Sequence, residues 1–270
     1  MQHLVRTQLI LAPLDKQSCS MSHAASLGPF FQGVLMENLD KEYASFLHAL
    51  PFNPYSQCCY CASDGNIVWQ INALNNEAAE HIEASLKNLE KIDLHAVNKT
   101  FSIEKRIVES MDIAKLTNCI QEGDKTKLKV RFFTPTAFKS QGEYVILPSV
   151  RLIFQNLLMH YGQIYSGDCE VDEETLDYIT QNVRIASYSL RSQYFAHSAK
   201  SSSKIPAFLG EINLSIRGPK ALCGLTELLL KYGEYSGVGI KTAMGMGAMA
   251  VIEEKASAKK DQTQTIQERS

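Results

Sequence analysis

GVGIKTAMGMGAM, at residues 237–249, separates an apolar helical stretch (222–232) from an apolar strand that ends at Ile252. Its glycines and its one cation are Gly237, Gly239, Gly245, Gly247 and Lys241. Glycine adopts positive φ angles without steric cost and leaves its amide uncovered, so such a loop can form a concave anion site. We therefore expect these residues, together with Thr242, to bind a phosphate chain.

The common nucleotide-binding motifs do not fit this segment. A dinucleotide fingerprint requires a glycine at the position of Thr242, and a P-loop ending at Lys241-Thr242 requires glycines at Tyr235 and Ile240. The alternative is a glycine-containing hairpin or bulge that lets a strand pass close to a helix. The segment by itself leaves both interpretations open.

Charge is segregated along a chain of 270 residues whose formal net charge is only −2. Residues 184–250 hold eight basic and three acidic side chains, whereas residues 168–177 are strongly acidic. A near-neutral total gives no global sign of nucleic-acid binding, so a phosphate-binding face must be a local patch. We expect that patch within residues 184–250.

Cysteine usage favours a cytoplasmic protein with reduced thiols. There are seven cysteines, an odd number, and the first residues lack a basic segment followed by a long apolar one. No stretch approaches the 18 or more apolar residues of a membrane span. Cys58, Cys59 and Cys61 have no second cysteine pair at zinc-site spacing, so we expect buried thiols and no metal or cofactor.

Hydrophobic periodicity predicts the order strand, helix, strand, strand, helix, strand in the first half. The predicted elements are a strand at 4–11, a helix at 30–39 followed by a short one at 43–50, strands at 57–62 and 67–73, a helix at 75–89 and strands at 94–97 and 101–108. Ser63-Asp64-Gly65-Asn66 is a hairpin signal, and Asn75 is a helix-capping residue.

A similar order follows in the second half. The predicted elements are a strand at 127–133, a helix at 149–161, strands at 184–195 and 208–216, a helix at 222–232 and a last strand ending at 252. The resulting fold class is α+β, with two tandem ferredoxin-like (βαββαβ, RRM-like) domains and a C-terminal glycine-rich loop. We expect domains at 1–121 and 124–252. The remainder, 253–270, has Ile266 as its only large hydrophobe and is expected to be a disordered tail.

The glycine segment resembles the closing loop of the CRISPR-associated endoribonucleases that cut precursor CRISPR RNA within its repeats, part of the superfamily of repeat-associated RNA-binding proteins. Further stretches agree: FTPTAF at 133–138 followed by LPS at 147–149, and FQGVL at 31–35 followed by LHAL at 47–50 and PYS at 54–56. The resemblance covers nearly the whole chain in the order of elements.

This resemblance implies RNA held across a basic face between two domains and cleavage without metal. The ribose 2′-OH would attack the adjacent phosphate, giving a 2′,3′-cyclic phosphate and a free 5′-OH. Histidine suits the proton transfers because its pKa lies near the working pH. The resemblance also implies CRISPR repeat RNA as a partner and allows association with a CRISPR effector complex. It leaves open whether the protein is a monomer or a homodimer.

The resemblance places the catalytic histidine at His48, and His23, in a polar stretch before the first helix, is a candidate for a second proton-transfer group. Some family members have a tyrosine on the first helix and a lysine soon after the histidine. Here the matching region offers Met36, and no lysine occurs between Lys41 and Lys87. A tyrosine–histidine–lysine triad therefore cannot be carried over, although Tyr43 and Tyr55 are candidates for orienting RNA and Lys241 could supply charge.

Basic residues interleave with aromatic ones on the strand predicted at 184–195, and stacking with phosphate contact is a common mode of RNA binding. The proposed RNA contacts outside the glycine loop are Arg184, Arg191 and Lys204. Alternation predicts Arg184 and Tyr188 on one face and Arg191 and Phe195 on the other. Rival interpretations are a noncatalytic RNA-binding subunit and a ferredoxin-like small-molecule enzyme whose loop holds a nucleotide or an acyl carrier.

Overall fold

A computed structural model describes residues 2–14, 21–62, 64–196 and 204–252, and in residues 21–23 it describes the backbone alone. The expected tail at 253–270 lies outside the described residues. Within them the chain forms two antiparallel sheets with helices packed against them, a mixed α+β fold.

The first half holds five strands in the order β2-β3-β1-β5-β4. Its strands are β1 (His3–Pro13), β2 (Tyr55–Cys61), β3 (Ile67–Ala73), β4 (Lys91–Leu94) and β5 (Lys99–Asp112). Its helices are α1 (Met21–Ser26), α2 (Gly28–Asn38), α3 (Lys41–Ala49) and α4 (Asn76–Leu86). Helix α4 begins because the Asn75 side chain accepts from the amide of Ala78, as its capping residue type predicts.

The second half is joined to the first by α5 (Ile113–Glu122), and its four-stranded sheet has the order β11-β6-β10-β9. Its strands are β6 (Lys127–Thr136), β9 (Val183–Ala196), β10 (Lys204–Ile216) and β11 (Met249–Ile252), with β7 (Phe138–Ser140) and β8 (Glu143–Val145) as a separate hairpin. Its helices are α6 (Val150–Tyr165), α7 (Glu173–Asn182) and α8 (Lys220–Ser236).

Three helices were absent from the sequence prediction: α1, α5 and α7. Helix α7 begins within the acidic residues 168–177, which were not predicted to be helical. Its first turn carries Glu173 and Glu174 after the capping residue Asp172, and acidic groups stabilise a helix N-terminus.

Helix α5 is short, with Leu116 as its one buried residue. Helix α5 does carry apolar residues at helical spacing, Ile113, Leu116 and Ile120, a pattern that the prediction overlooked. Helix α1 lies in the polar stretch that was predicted as a loop.

The prediction for β9 is partly wrong because the strand contains a bulge at Ala186. Asn213 pairs with Ser187 and Leu214 with Ile185, so Ala186 is left without a partner. An extra residue reverses the alternation of side chains, and Arg184 and Tyr188 therefore lie on opposite faces. Beyond the bulge the register is regular, and Arg191 and Phe195 share a face as predicted.

The two halves are joined by a buried, hydrogen-bonded interface. The carbonyl of Tyr235, in the last turn of α8, accepts from Ser56 Oγ and from Asn72 Nδ2, the latter at 3.0 Å. Arg6 donates to the carbonyl of Glu234 at 2.8 Å and lies over the ring of Tyr235 at 4.4 Å. The end of α8 is thereby fixed against the first sheet.

Helices α5 and α8 approach each other through glycines. A Cβ on Gly224 would lie 2.2 Å from the carbonyl oxygen of Cys119, and one on Gly123 would lie 2.4 Å from the Cα of Gly224. Nearby, Glu227 binds Lys125 at 2.9 Å and Lys231 at 3.0 Å. Burial alone would raise the pKa of Glu227, but the two lysines lower it below its usual value.

In the described part of the chain, no helix has the length and apolarity needed to cross a membrane.

Candidate active site

The glycine segment follows α8 directly and packs into the body of the protein. Gly237, Gly239, Gly245 and Gly247 all have positive φ, between 67° and 101°. A Cβ on Gly239 would lie 2.3 Å from the carbonyl oxygen of Ala137, and one on Gly247 would lie 2.1 Å from that of Val238. These positions require glycine because of both backbone conformation and close approach.

The expectation of uncovered amides throughout the segment is wrong. The amides of four glycines donate inside the protein: Gly237 to Gly233 O, Gly239 to Asn156 Oδ1, Gly245 to Thr242 O and Gly247 to Pro135 O. Their role in the fold is to let the segment pass close to its neighbours, which is nearer to the bulge interpretation than to a phosphate nest.

One part of the segment remains open. The amides of residues 241–243 have no acceptor among the described residues, and the Lys241 side chain is exposed, with Nζ 3.8 Å from Met244 Sδ. Lys241 itself has a φ of 57°, in the left-handed region. Thr242–Met244 then form a single 3-10 turn. Lys241 and Thr242 thus stay predicted RNA contacts.

These residues line a cleft of about 530 Å³ between the two halves. Its walls are four segments: residues 51–53 after α3, residues 138–141 of the β7–β8 hairpin, one face of α6, and residues 239–243 of the glycine segment. Among the residues that the structure describes, the lining contains Lys139 and Lys241 and no aspartate or glutamate. A cleft with cations and no carboxylates favours an anionic ligand.

His48 comes just before one wall of this cleft in the chain. It is an exposed residue in the last turn of α3, three residues before Pro51, where the wall of the cleft begins. Helix α3 is fixed at its other end, since Asp40 caps it through the amide of Tyr43 and accepts from His81 at 2.7 Å. The N-terminal end of the helix that carries His48 is therefore held in place.

The sequence analysis missed His160, which lines the same cleft from α6. Its side chain is 3% exposed, its Nδ1 has no hydrogen-bond partner among the described residues, and burial lowers its pKa to about 4. The ring packs on Phe52 with centroids 4.2 Å apart. The helical spacing of Ile153, Leu157 and His160 is the signal that could have predicted its burial.

His23 lies in α1 rather than in the loop that the polar sequence predicts, and its side chain is outside the described part of the structure. Helix α1 packs on β2, and the following α2 packs on the 3-10 turn of the glycine segment. At that contact a Cβ on Gly28 would lie 2.5 Å from the carbonyl oxygen of Met244. The backbone that carries His23 therefore leads directly to the glycine segment.

Tyr43 and Tyr55 are both buried, so the expectation that they orient RNA is wrong. Burial raises the pKa of the Tyr55 phenol to about 12, and its hydroxyl accepts from Gln32. Burial also raises the pKa of Tyr43, whose ring stacks on His81 with centroids 3.8 Å apart. Both phenols serve the core of the first half.

The remaining predicted RNA contacts divide between two places. Arg191 and Lys204 are exposed toward the tip of the β9–β10 hairpin, where Phe195 packs on Met246 of the glycine segment. Arg184 lies seven residues before Arg191 and lines a different cleft of about 730 Å³. At roughly 3.3 Å per residue the two arginines are about 20 Å apart.

That second cleft lies on the open face of the second sheet. Its cations are Lys125, Lys127, Lys129 and Arg184. Glu211 pairs with Lys129 at 2.6 Å and with Arg131, and these cations lower the pKa of the carboxyl.

The three clustered cysteines lie on β2, where Cys58 and Cys59 are buried and burial raises the pKa of Cys58 to about 12. Across the described residues there is no group of three histidine, cysteine, aspartate or glutamate side chains that could hold a metal ion.

A family model described as CRISPR-associated endoribonuclease Cas6 matches residues 130–249, which include the glycine segment and most of the second half. A protein from Streptococcus thermophilus named CRISPR-associated endoribonuclease Cas6 is 36% identical over 233 residues, covering 86% of this chain and 94% of its own. The chain belongs to the Cas6 family. A Mycobacterium tuberculosis Cas6 is also 36% identical, over 93% of this chain and 79% of its own length.

Solved Cas6 structures share the fold. One described as a Cas6 (TTHA0078) product complex superposes with a TM-score of 0.72 at 20% identity, over 93% of this chain and all of that one. A Thermus thermophilus Cas6 (TTHB231) gives 0.65 at 20% identity, over 93% of this chain and 99% of the other. The expected family is thereby confirmed, and the α+β architecture is that of its solved members.

Proposed function

We propose that this chain is a metal-independent endoribonuclease that cleaves precursor CRISPR RNA within its repeats. The observation that carries the proposal is the place of His48, exposed at the end of α3 and three residues before a wall of a cleft that Lys241 also lines, with no aspartate or glutamate lining it among the described residues. Relatives over 30% identical are named as CRISPR-associated endoribonucleases, which supports the same reaction class.

The proposed reaction is attack by a ribose 2′-OH on the adjacent phosphorus. The bond from phosphorus to the 5′-oxygen breaks, leaving a 2′,3′-cyclic phosphate and a 5′-OH. His48 takes the 2′-OH proton, and His23 is the candidate to protonate the departing 5′-oxygen. Lys241 stabilises the charge that develops on the phosphorane. Lys241 thus takes the charge-stabilising role that falls, in some family members, to a lysine soon after the histidine. No lysine occupies that position here.

The RNA contacts that we propose follow the exposed cations. Lys241 and Thr242 bind at the cleft, and Arg191 and Lys204 bind along the neighbouring hairpin. Gly237, Gly239, Gly245 and Gly247 contribute by shaping the segment that holds Lys241. Arg184 binds a more distant part of the repeat RNA together with Lys127 and Lys129.

We further propose that residues 1–121 and 124–252 are two ferredoxin-like domains. Without the edge strand β4, the two sheets have the orders β5-β1-β3-β2 and β11-β6-β10-β9. Numbered along the chain within each half, both orders read 4-1-3-2, and all neighbouring strands are antiparallel. Two helical crossovers join these strands in each half. We expect the protein to work in the cytoplasm, alone or as a homodimer, and to pass its product to a CRISPR effector complex.

The proposal is tested by incubating purified protein with the repeat RNA of its own CRISPR array in EDTA. We expect cleavage at one position in the repeat, with a cyclic phosphate on the upstream product. RNA that is bound yet stays intact would reject the nuclease and support the noncatalytic RNA-binding subunit instead.

A further inference from the structure

The cleft between the end of α3 and the glycine segment is lined by more kinds of side chain than phosphate binding requires. Besides Lys139 and Lys241, its lining includes apolar side chains and four side-chain amides. The amides are Asn53, Gln141, Gln155 and Asn156. A backbone phosphate needs cations or amide N–H groups, but it gains nothing from an apolar wall.

One wall of the cleft is aromatic and firmly supported. Phe52 is partly exposed and packs on His160, whose buried, neutral imidazole is held in the middle of α6. No Nδ1 bond is available to His160 among the described residues. The Phe52 ring, supported from behind by the tilted His160 ring, therefore offers a preformed aromatic surface to the cleft.

A second wall presents an amide in a fixed orientation. Asn156 Oδ1 accepts from the amide of Gly239 at 2.6 Å, which fixes the flip state of the side chain. Its Nδ2 group has no partner among the described residues. A fixed amide donor next to an aromatic surface is the arrangement that reads the edge of a stacked base.

We infer that this cleft binds one unpaired nucleobase of the repeat RNA, stacked on Phe52 and contacted by Asn156, while Lys139 and Lys241 bind the phosphates on either side. The inference rests on the proposed function, because it assigns part of that RNA to the cleft. At about 530 Å³ the cleft lies within the range of small-ligand sites. The bound base would fix which phosphodiester lies beside His48, so the cleft sets the position of cleavage.

The test uses repeat RNAs that each carry one abasic nucleotide, scanned through the repeat, with a 2′-deoxy sugar at the cleaved nucleotide so that binding is measured without cleavage. Dissociation constants are determined for the wild-type protein, Phe52→Ala and Asn156→Asp. The second variant keeps an acceptor for Gly239 and removes the donor. Tyr178→Ala, a half-exposed tyrosine on α7, is the matched control for loss of an aromatic ring.

We expect one abasic position that weakens wild-type binding roughly 5- to 150-fold, the range for loss of one stacked base. Phe52→Ala should weaken binding of the intact RNA by a similar factor. The abasic RNA should then bind Phe52→Ala no more weakly than it binds the wild type. Asn156→Asp should show the same non-additive pattern at the same position, and Tyr178→Ala should bind like the wild type.

The inference is overturned if every abasic substitution adds its full effect to that of Phe52→Ala, or if both cleft variants bind intact RNA as well as the wild type. Because these readouts do not involve cleavage, they separate the two proposals. If the abasic and Phe52→Ala effects on binding are non-additive but the all-ribose RNA is not cleaved, only the proposed nuclease activity is rejected. If the RNA is cleaved but those two effects add, only the base-binding site is rejected.

Discussion

His160 shows how a single buried residue links the fold to the cleft. Its pKa of about 4 is far below the ordinary 6.5 because burial disfavours the charged imidazolium. The folded state therefore holds the ring neutral while the unfolded state takes up a proton. Stability from this residue is present above pH 6.5 and is lost as pH falls toward 4.

This behaviour predicts a pH-dependent difference between the wild type and His160→Phe. A difference of about 2 pK units or more corresponds to roughly 3 kcal/mol of free energy of unfolding. Urea unfolding at pH 7 and at pH 4 should show the wild type losing about that much relative to the variant. A constant difference across that range would mean that His160 is not held neutral.

His48 is predicted to act in chemistry and not in binding. Loss of a general base typically costs 10²- to 10⁴-fold in rate, so His48→Ala should cut repeat RNA slower by about that factor. Its dissociation constant for the RNA should stay within about twofold of the wild-type value. His95→Ala removes another exposed histidine and should cut normally. Unchanged cleavage by His48→Ala would move the base role to His23.

At the scale of elements, the glycine segment is a tightly packed connection. Gly247→Ala places a methyl group 2.1 Å from a backbone oxygen at a φ of 74°. We expect a loss of more than about 2 kcal/mol in free energy of unfolding, because strain and overlap add. Gly65→Ala is the control, since Gly65 has a φ of 88° and no atom near its Cβ position.

Gly65→Ala should cost only the backbone strain, about 1 kcal/mol. Urea unfolding of both variants measures the difference. Equal losses would show that the segment relaxes around the added methyl group, and that its close contacts with Val238 do not constrain it.

Helix α3 depends on its capping residue. Asp40→Ala removes the bond to the Tyr43 amide and should lower the free energy of unfolding. Asp40→Asn keeps a capping oxygen and should lose much less. Equal losses in the two variants would assign the effect to the His81 contact instead of the cap.

At the scale of the molecule, the interface between the halves predicts joint unfolding. Trp69 is the single tryptophan, is buried in the first half and reports on that half, whereas far-UV circular dichroism reports on the whole chain. We expect the two signals to give coincident urea transitions. Asn72→Ala removes one hydrogen bond to the Tyr235 carbonyl and one from Arg6. It should lower the urea midpoint of the fluorescence and circular dichroism transitions by the same amount. Separate transitions would show two independent units.

The sequence predicted those parts of the fold that depend on local patterns. The capping signal at Asn75 and the stripe of α4 were sufficient for that helix, and the Ser63–Asn66 turn gave the β2–β3 hairpin. The bulge at Ala186 was not predictable, because it depends on the register with β10 and not on the residues of β9.

For the site, the family resemblance predicts His48 and the glycine segment predicts Lys241, and both stay predictions. The lining of the cleft that residues 51–53 and α6 contribute was missed. Residues 51–53 on the one hand, and Asn156 and His160 of α6 on the other, come from two segments that meet only in the folded chain. The occupied amides of Gly239 and Gly247 were also missed, since their acceptors lie on α6 and β6 and leave no trace in the local sequence.

The most direct test of the central claim is the cleavage rate of repeat RNA that carries a single 2′-deoxy sugar at the cleaved nucleotide. If the neighbouring hydroxyl is the nucleophile, this RNA binds with unchanged affinity and is not cut, while the same change one nucleotide away has no effect. Cleavage of the 2′-deoxy RNA at the normal position and rate would contradict the account.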